Sequence, residues 1–514
     1  MDDDNRSDRV PRREEADRTR PLSALGLLPE GGLPGVPDVT VTGLALSSRA
    51  VGPGHLFAAL PGSATHGARF AADALARGAA AVLTDAEGAA LIRSERAMPP
   101  DRALIVSADP RRDLAHAAAR WFGRQPGHVV AVTGTNGKTS VACFTRQLWE
   151  LAGLAAVNVG TTGIEGGWSA PLGRTTPDPI TLHRHLADMA DAGIDLVAME
   201  ASSHGLDQRR LDGVRLAAGA FTTFSQDHLD YHRDFAAYFA AKMRLFDKLL
   251  PPGARVVVNL DDARGAEVAA RARARGLDVV TLGHDPLADL VLLDHRFEEG
   301  GQKLRFAWRG RVQMARLGLV GGFQATNALA AALLAASAGD ITAEEAFAIL
   351  PRLRTVRGRM EEVARRAHGA PVFVDYAHTP DALATALAAL RPHVMGRLVV
   401  VFGAGGDRDR AKRPLMGRAA AEGADVVIVT DDNPRTEDPA AIRAAIREGC
   451  PGATEIPDRA EAILRAVAML APGDALLVAG KGHESGQIVG DVTYPFNDAE
   501  QASLAVAAIE GREP

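Results

Sequence analysis

Residues 133–140, TGTNGKTS, follow the apolar run Val129, Val130, Ala131 and Val132 and precede a helical pattern at 141–151. A buried strand running through a glycine turn straight into a helix start is a narrow prescription, met by the strand–helix alternation of α/β layers. The same order builds a phosphate cradle. Backbone N–H groups and the helix dipole hold oxyanions, Lys138 adds charge, and the Thr139 hydroxyl suits Mg²⁺. Val132 stands where the general GxxxxGK[ST] pattern has its first glycine. Nucleoside triphosphate chemistry is the expectation, with a plain turn before a helix as the bland alternative.

The chain's 514 residues suit about three domains. With 46% hydrophobic and 24% charged residues and a net charge of -6, nothing asks for nucleic acid or an anionic membrane. Cys143 and Cys450 alone cannot build a disulfide framework or a cysteine metal site, which suits a reducing cytosol. The first twenty residues have mixed charge and no apolar core, so a disordered tail is expected rather than a signal or anchor. No apolar stretch approaches a membrane span; residues 328–338 fit a buried helix.

Past the tail, strand patterns at 39–46, 56–60 and 79–84, with a helix at 68–77, outline a small α/β domain over 21–126. A larger α/β region, 127–354, carries buried-strand signals at 196–199, 220–224 and 255–259. A third, 355–514, carries them at 372–374, 398–402, 426–430 and 475–479. The alternation predicts parallel sheets.

Several polar groups stand after these strands. Glu200 ends one, where a carboxylate can face the phosphate loop and ligate Mg²⁺, or simply sit in water. Residues 225–232, SQDHLDYH, suit metal or phosphate handling, but by themselves read better as polar loop. Along a helix expected over 234–250, Lys242 shares the stripe of Phe235, Phe239, Phe246 and Leu249. Such a lysine either snorkels to solvent, the expectation from sequence, or loses its proton through burial. A neutral amine can take up carbon dioxide as a carbamate, an anionic oxygen ligand.

Asp375-Tyr-Ala-His378-Thr-Pro-Asp381 reads as a strand end with a helix cap at Thr379 or Asp381. Gly403-Ala-Gly405-Gly406-Asp-Arg408 is weak as a dinucleotide fingerprint, since Arg408 occupies the third glycine position. Asp432-Asn433-Pro434-Arg435 fits a surface turn equally well. Gly480-Lys481-Gly482-His483-Glu484 permits close backbone approach to a ligand. Their shared place after successive strands points to one cleft at the carboxyl edge.

In order, TGTNGKTS, MEASSHGLDQRR, DHLDYH, GRME, DYAHTPD, GGDRD, DNPR and GKGHE resemble the Mur ligase family over nearly the whole chain from about residue 39. The resemblance is greatest to the type that extends UDP-N-acetylmuramoyl-L-alanyl-D-glutamate. It implies three domains: a UDP-sugar-binding α/β domain, a central phosphate-loop ATPase with a parallel sheet, and a C-terminal Rossmann-like domain. It also implies ATP-dependent amide formation through an acyl phosphate, in the cytoplasm, by a monomer without nucleic-acid or membrane partners.

Carried over by position, Gly134, Thr135, Asn136, Gly137, Lys138, Thr139 and Ser140 would bind ATP, with Asn327, Arg359 and Asp375. Lys138, Glu200, His228 and Lys242 would be catalytic. Mg²⁺ would rest on Thr139, Glu200, His228 and Lys242 as its carbamate. Ser48, Arg49 and His55 match the uridine-nucleotide region; Thr161, Thr162, Ser202, Gln208 and Arg210 match the muramoyl-dipeptide residues. Arg408, Asp432, Asn433, Pro434, Arg435, Gly480 and Glu484 match the amino-acid pocket. DNPR in this family accompanies diaminopimelate, whose distal end carries both carboxylate and ammonium; L-lysine would leave a cation unpaired.

Gln324, Arg357 and Ala404 depart from the family pattern and are expected to lie away from the chemistry. A folylpolyglutamate synthetase and an ATP-hydrolysing switch are the competing readings. The first should lack DNPR and the dipeptide segment. The second has no use for separate carboxylate and amine pockets.

Overall fold

The computed structural model describes residues 18–62, 65–95, 98–227, 231–298 and 300–511, and counts and absences refer to these. His228 and residues 1–17 of the expected tail lie outside them. The chain forms two compact units. One comprises the described residues up to 126 together with 177–193 and 205–215, and the other holds the remaining described residues.

In the first unit a parallel sheet runs Gly43–Ala45, His55–Ala58, Ala81–Thr84, Ala103–Val106. Helices Pro110–Phe122 and Pro179–Asp191 belong to it, with Ile180 and Ala187 in the core around Leu56, Leu83 and Trp121. The strand expected at 39–46 is broken. Thr42 Oγ1 donates to Pro53 O at 2.7 Å, leaving Thr40–Val41 to pair with Arg20–Pro21 instead. The helix expected from 68 opens as a 3₁₀ turn, Gly67–Phe70, capped by His66 Nδ1 on the Ala68 N–H, before Ala71–Ala76.

The second unit holds a ten-stranded and a six-stranded sheet. In the larger, the phosphate-loop strand His128–Thr133 lies between Leu216–Phe221 and Leu196–Glu200, all parallel. The register pairs Glu200 with Val132 and Phe221 with Thr133, so three strand ends meet at one edge. The sheet is not wholly parallel. Gly163–Gly166 closes one side antiparallel, and Leu290–Glu298, Gly301–Trp308 and Arg311–Leu317 extend the other as an antiparallel meander. Leu290, Leu292, Leu304, Phe306 and Trp308 alternate into the core, which explains the extension. The helices Lys138–Leu151 and Phe323–Ala335 pack together over this core; the second is buried almost throughout, as residues 328–338 predicted.

The six-stranded sheet orders Glu361–Arg365, Pro371–Asp375, Ala475–Ala479, Leu398–Phe402, Val426–Val429, Thr454–Glu455. The first strand is antiparallel and the rest parallel, in register at Asp375 with Ala479 and Phe402 with Val429. The loops at 376–381, 403–408, 430–435 and 480–484 therefore leave the same carboxyl edge, where open α/β sheets bind ligands. Among the described residues no helix is long and apolar enough to cross a membrane.

Candidate active site

The loop 134–137 turns tightly because Gly137 adopts φ 84°, and Lys138 then opens the helix with its first amides unpaired within it. Gly134 has no room for a side chain, since a Cβ there would lie 1.9 Å from Thr222 Oγ1. Lys138 folds back over the loop, its Nζ donating to Gly134 O at 2.9 Å and Thr135 O at 2.7 Å. Enclosure lowers its pKa, while the charges of Glu200 and Asp227 oppose that fall.

Glu200 is 1% exposed. Its Oε1 accepts the Thr161 N–H at 2.7 Å and its Oε2 the Thr161 hydroxyl at 3.2 Å. Lys242 does not snorkel. It is 1% exposed, sits 4.4 Å from the Tyr238 ring centre, and donates to Gly134 O at 2.7 Å. Burial, then the charge of Lys138, depress its pKa well below the usual lysine range. The expected helix 234–250 ends at Arg244 and continues as a π turn, Leu245–Leu249, which leaves Leu249 only half-buried.

These groups surround a cavity of about 290 Å³. From the region beyond 355, Arg359 Nη2 donates to Thr139 Oγ1 at 2.9 Å and stacks 4.5 Å from the Tyr376 ring centre. Asn136 Nδ2 donates to Asp381 Oδ2 at 3.3 Å. Asp375 accepts the Met360 N–H at 2.6 Å, and enclosure raises its pKa. Thr379, not Asp381, caps the helix Pro380–Leu390. Asn327, Thr161 and Ser202 also line this cavity. Thr162 is buried with its hydroxyl unpartnered.

A second cavity of about 450 Å³ adjoins the first, sharing Asp227, Tyr376, His378 and Asp381. Arg408, Arg435, Asp432, Asn433, Gly480 and Glu484 line it. Among the described residues neither Arg408 nor Arg435 has a carboxylate at ion-pair distance; Arg435 Nη1 donates to Gly406 O at 2.8 Å. A Cβ at Gly480 would lie 2.6 Å from Asp432 Oδ2, so glycine admits the carboxylate. Pro434 is buried in the loop between them.

The remaining candidates stand in the first unit. Ser48 is buried, and its hydroxyl helps hold the Asp73 carboxyl below the usual carboxylate range; His55 Nδ1 accepts the Gly52 N–H at 3.2 Å, and Arg49 is exposed. Arg210 Nη2 donates to Gln208 Oε1 at 2.7 Å.

The three departing positions are not remote from these groups. Gln324 Oε1 accepts Asn327 Nδ2 at 3.2 Å, Arg357 Nη2 donates to Thr162 O at 3.1 Å, and Ala404 lines the second cavity. Sequence reasoning also missed Lys481, which is 0% exposed and donates to Asn433 Oδ1 at 2.9 Å and Glu484 Oε2 at 3.0 Å. Its one signal was a lysine between two glycines after a buried strand.

Three family profiles match in succession: "Mur ligase family, catalytic domain" at 40–122, "Mur ligase middle domain" at 132–335, and "Mur ligase, glutamate ligase domain" at 358–482. A UDP-N-acetylmuramoyl-L-alanyl-D-glutamate--2,6-diaminopimelate ligase of Bradyrhizobium diazoefficiens is 52% identical, covering 92% of this chain and 96% of its own. Its counterpart in Mesorhizobium japonicum is 51% identical over 94% and 98%. A solved structure of a ligase of that name superposes with a TM-score of 0.64 at 34% identity, over 91% of this chain and 95% of its own. Mycobacterium tuberculosis folylpolyglutamate synthase shares the fold at 20% identity and a TM-score of 0.59, over 79% and 94%. Profile order, identity and a phosphate loop opening onto a paired cavity agree: this chain belongs to the Mur ligase family.

Proposed function

We propose that this chain is an ATP-dependent ligase that joins 2,6-diaminopimelate to UDP-N-acetylmuramoyl-L-alanyl-D-glutamate in peptidoglycan precursor synthesis. The observation that carries the reading is the pair of adjoining cavities, one edged by Lys138, Arg359 and Glu200, the other by Arg408, Arg435, Asp432 and Glu484.

In this reading the loop amides and Lys138 hold the ATP phosphates, and Arg359 offsets charge as phosphate passes to the D-glutamate carboxylate. The acyl phosphate then meets the amine of diaminopimelate at the shared wall, leaving an amide, ADP and phosphate. Enclosure on both sides keeps water from the acyl phosphate. Asn327 and Asp375 would contact the nucleotide, and Thr161, Thr162, Ser202, Gln208 and Arg210 the dipeptide. Ser48, Arg49 and His55 would meet the uridine end. Arg408 and Arg435 pair with the distal carboxylate, and Asp432 and Glu484 with the distal ammonium; lysine offers only the latter.

Thr139, Glu200 and a carbamate on Lys242, with His228 beyond the described residues, would hold Mg²⁺. Thr139, Glu200 and Lys242 line the first cavity together, and a hydroxyl and a carboxylate there offer the oxygen donors that Mg²⁺ takes. The depressed pKa of Lys242 favours the neutral amine that carbamylation needs. Bound Mg²⁺ would supply charge neutralisation between two anionic reactants. Residues 1–20 would be a tail, and 21–126, 127–354 and 355–514 the functional domains of a cytoplasmic monomer.

ATP-dependent phosphate release should require UDP-N-acetylmuramoyl-L-alanyl-D-glutamate together with meso- or LL-diaminopimelate. Turnover with L-lysine at a comparable rate would overturn the amino-acid assignment. Release with neither amino acid would overturn the ligase reading.

A further inference from the structure

Arg435 has φ 52°, a left-handed backbone that a bulky residue adopts only where its surroundings enforce it. The enforcing element is the hairpin Gly486–Val489 and Val492–Pro495, a two-stranded sheet of its own. The Arg435 N–H donates to Ile488 O at 3.0 Å, and the Gly490 N–H donates to Arg435 O at 2.7 Å. The neighbouring residues hang on the same hairpin. Asn433 Oδ1 accepts the Ile488 N–H at 2.9 Å, and Gln487 Nε2 donates to Asp432 O at 2.8 Å. Lys481 closes the assembly with a third bond to Gly486 O at 2.6 Å, so all three ammonium protons are used.

The hairpin's outer side leaves Val489, Val492 and Tyr494 at 44%, 51% and 54% exposure. Its ties to the cavity run through backbone pairing and through Lys481, Asn433 and Gln487. We infer that this hairpin and Lys481 form a brace that sets amino-acid selectivity by fixing the direction in which Arg435 enters the second cavity. The inference rests on the reading of that cavity as the diaminopimelate site. A guanidinium recognises a carboxylate through paired, directional hydrogen bonds, so a small swing of Arg435 loses them. L-lysine has no distal carboxylate and is indifferent to that swing. The brace residues are positioning residues; none needs to touch substrate.

Two sets of variants test it. Ile488→Pro removes the donor to Asn433. Gly490 has φ 59° with open space where a Cβ would stand, so Gly490→Ala strains only the turn while Gly490→Asn tolerates it. For each, kcat and KM are measured with diaminopimelate and L-lysine, along with KM for ATP and for the nucleotide-dipeptide. The expected result is a roughly tenfold fall in the diaminopimelate-to-lysine ratio of kcat/KM for Ile488→Pro, carried by KM for diaminopimelate. Gly490→Ala should move about threefold in the same direction and Gly490→Asn return to the parent value. KM for ATP should hold. Should Ile488→Pro not fold, the Gly490 pair decides alone. Unchanged selectivity in variants of an active parent, or equal losses with both amino acids, overturns the brace. A parent inactive with every diaminopimelate isomer overturns the underlying reading and the brace with it.

Discussion

Lys242 and Lys138 meet at one oxygen: both ammonium nitrogens donate to the carbonyl of Gly134, at 2.7 and 2.9 Å. Two cations cannot share such a site without cost, and the more deeply buried one gives up its proton first. Burial and the charge of Lys138 therefore hold the Lys242 pKa well below the usual lysine range, behind the phosphate loop. That is a poor structural choice and a useful chemical one.

Carbamylation predicts that Lys242→Ala loses activity by about 100-fold, in part recoverable by formate or acetate occupying the vacated space. Assays across a carboxylate series check this. Undiminished activity, or no recovery with any short acid, would count against a carbamate.

The same lysine should weaken the ligand-free fold. Its folded pKa lies below its unfolded value, so between those two values the unfolded chain binds more protons and stability rises with pH, up to about pH 10. Lys242→Met removes that burden and should raise stability at pH 7 by about 1 kcal/mol while lowering ligation as far as Lys242→Ala does. Urea titrations at several pH values would show the gain shrinking as pH rises towards 10.

How far the sequence reached depended on whether partners were close in the chain. The phosphate loop was legible because strand, glycine turn and helix start are contiguous. The burial of Lys242 was not, since its acceptor Gly134 lies 108 residues away and a helical stripe allows either snorkelling or burial. Lys481 was passed over because lysine is ordinarily exposed; its burial depends on Asn433 and Glu484. The meander 290–317 carried a period-two pattern at Leu290, Leu292, Leu304 and Phe306 that went unread. No local signal ties residues 177–193 and 205–215 to the first unit, because a helix stripe does not name what it packs on.

Arg459 and Asp498 form a fully buried pair with two 2.7 Å bonds, and Arg459 also donates to Ala479 O and Asp431 O beside the loops of the second cavity. Arg459→Ala strands a buried carboxylate and should cost about 3–5 kcal/mol in chemical denaturation. A change under 1 kcal/mol would show that the pair is dispensable.

His183 is buried, with Nε2 3.2 Å from Asp212 O and Nδ1 unpartnered. Burial pushes its pKa down to about 4. The unfolded chain then binds the extra proton between about pH 4 and 6.5, so stability contributed by the neutral ring is complete above 6.5 and lost as pH falls towards 4. His183→Asn should flatten the denaturation midpoint across that window. An unaltered slope would mean that other groups govern the acid transition.

The central claim is that a carboxylate is phosphorylated in one cavity and attacked by an amine from the next. Substrate bearing ¹⁸O in the D-glutamate carboxylate tests it directly, with released phosphate read by mass spectrometry after ligation to diaminopimelate. One ¹⁸O carried into inorganic phosphate at each turnover is the predicted result. Phosphate free of label alongside normal product would contradict the acyl-phosphate route.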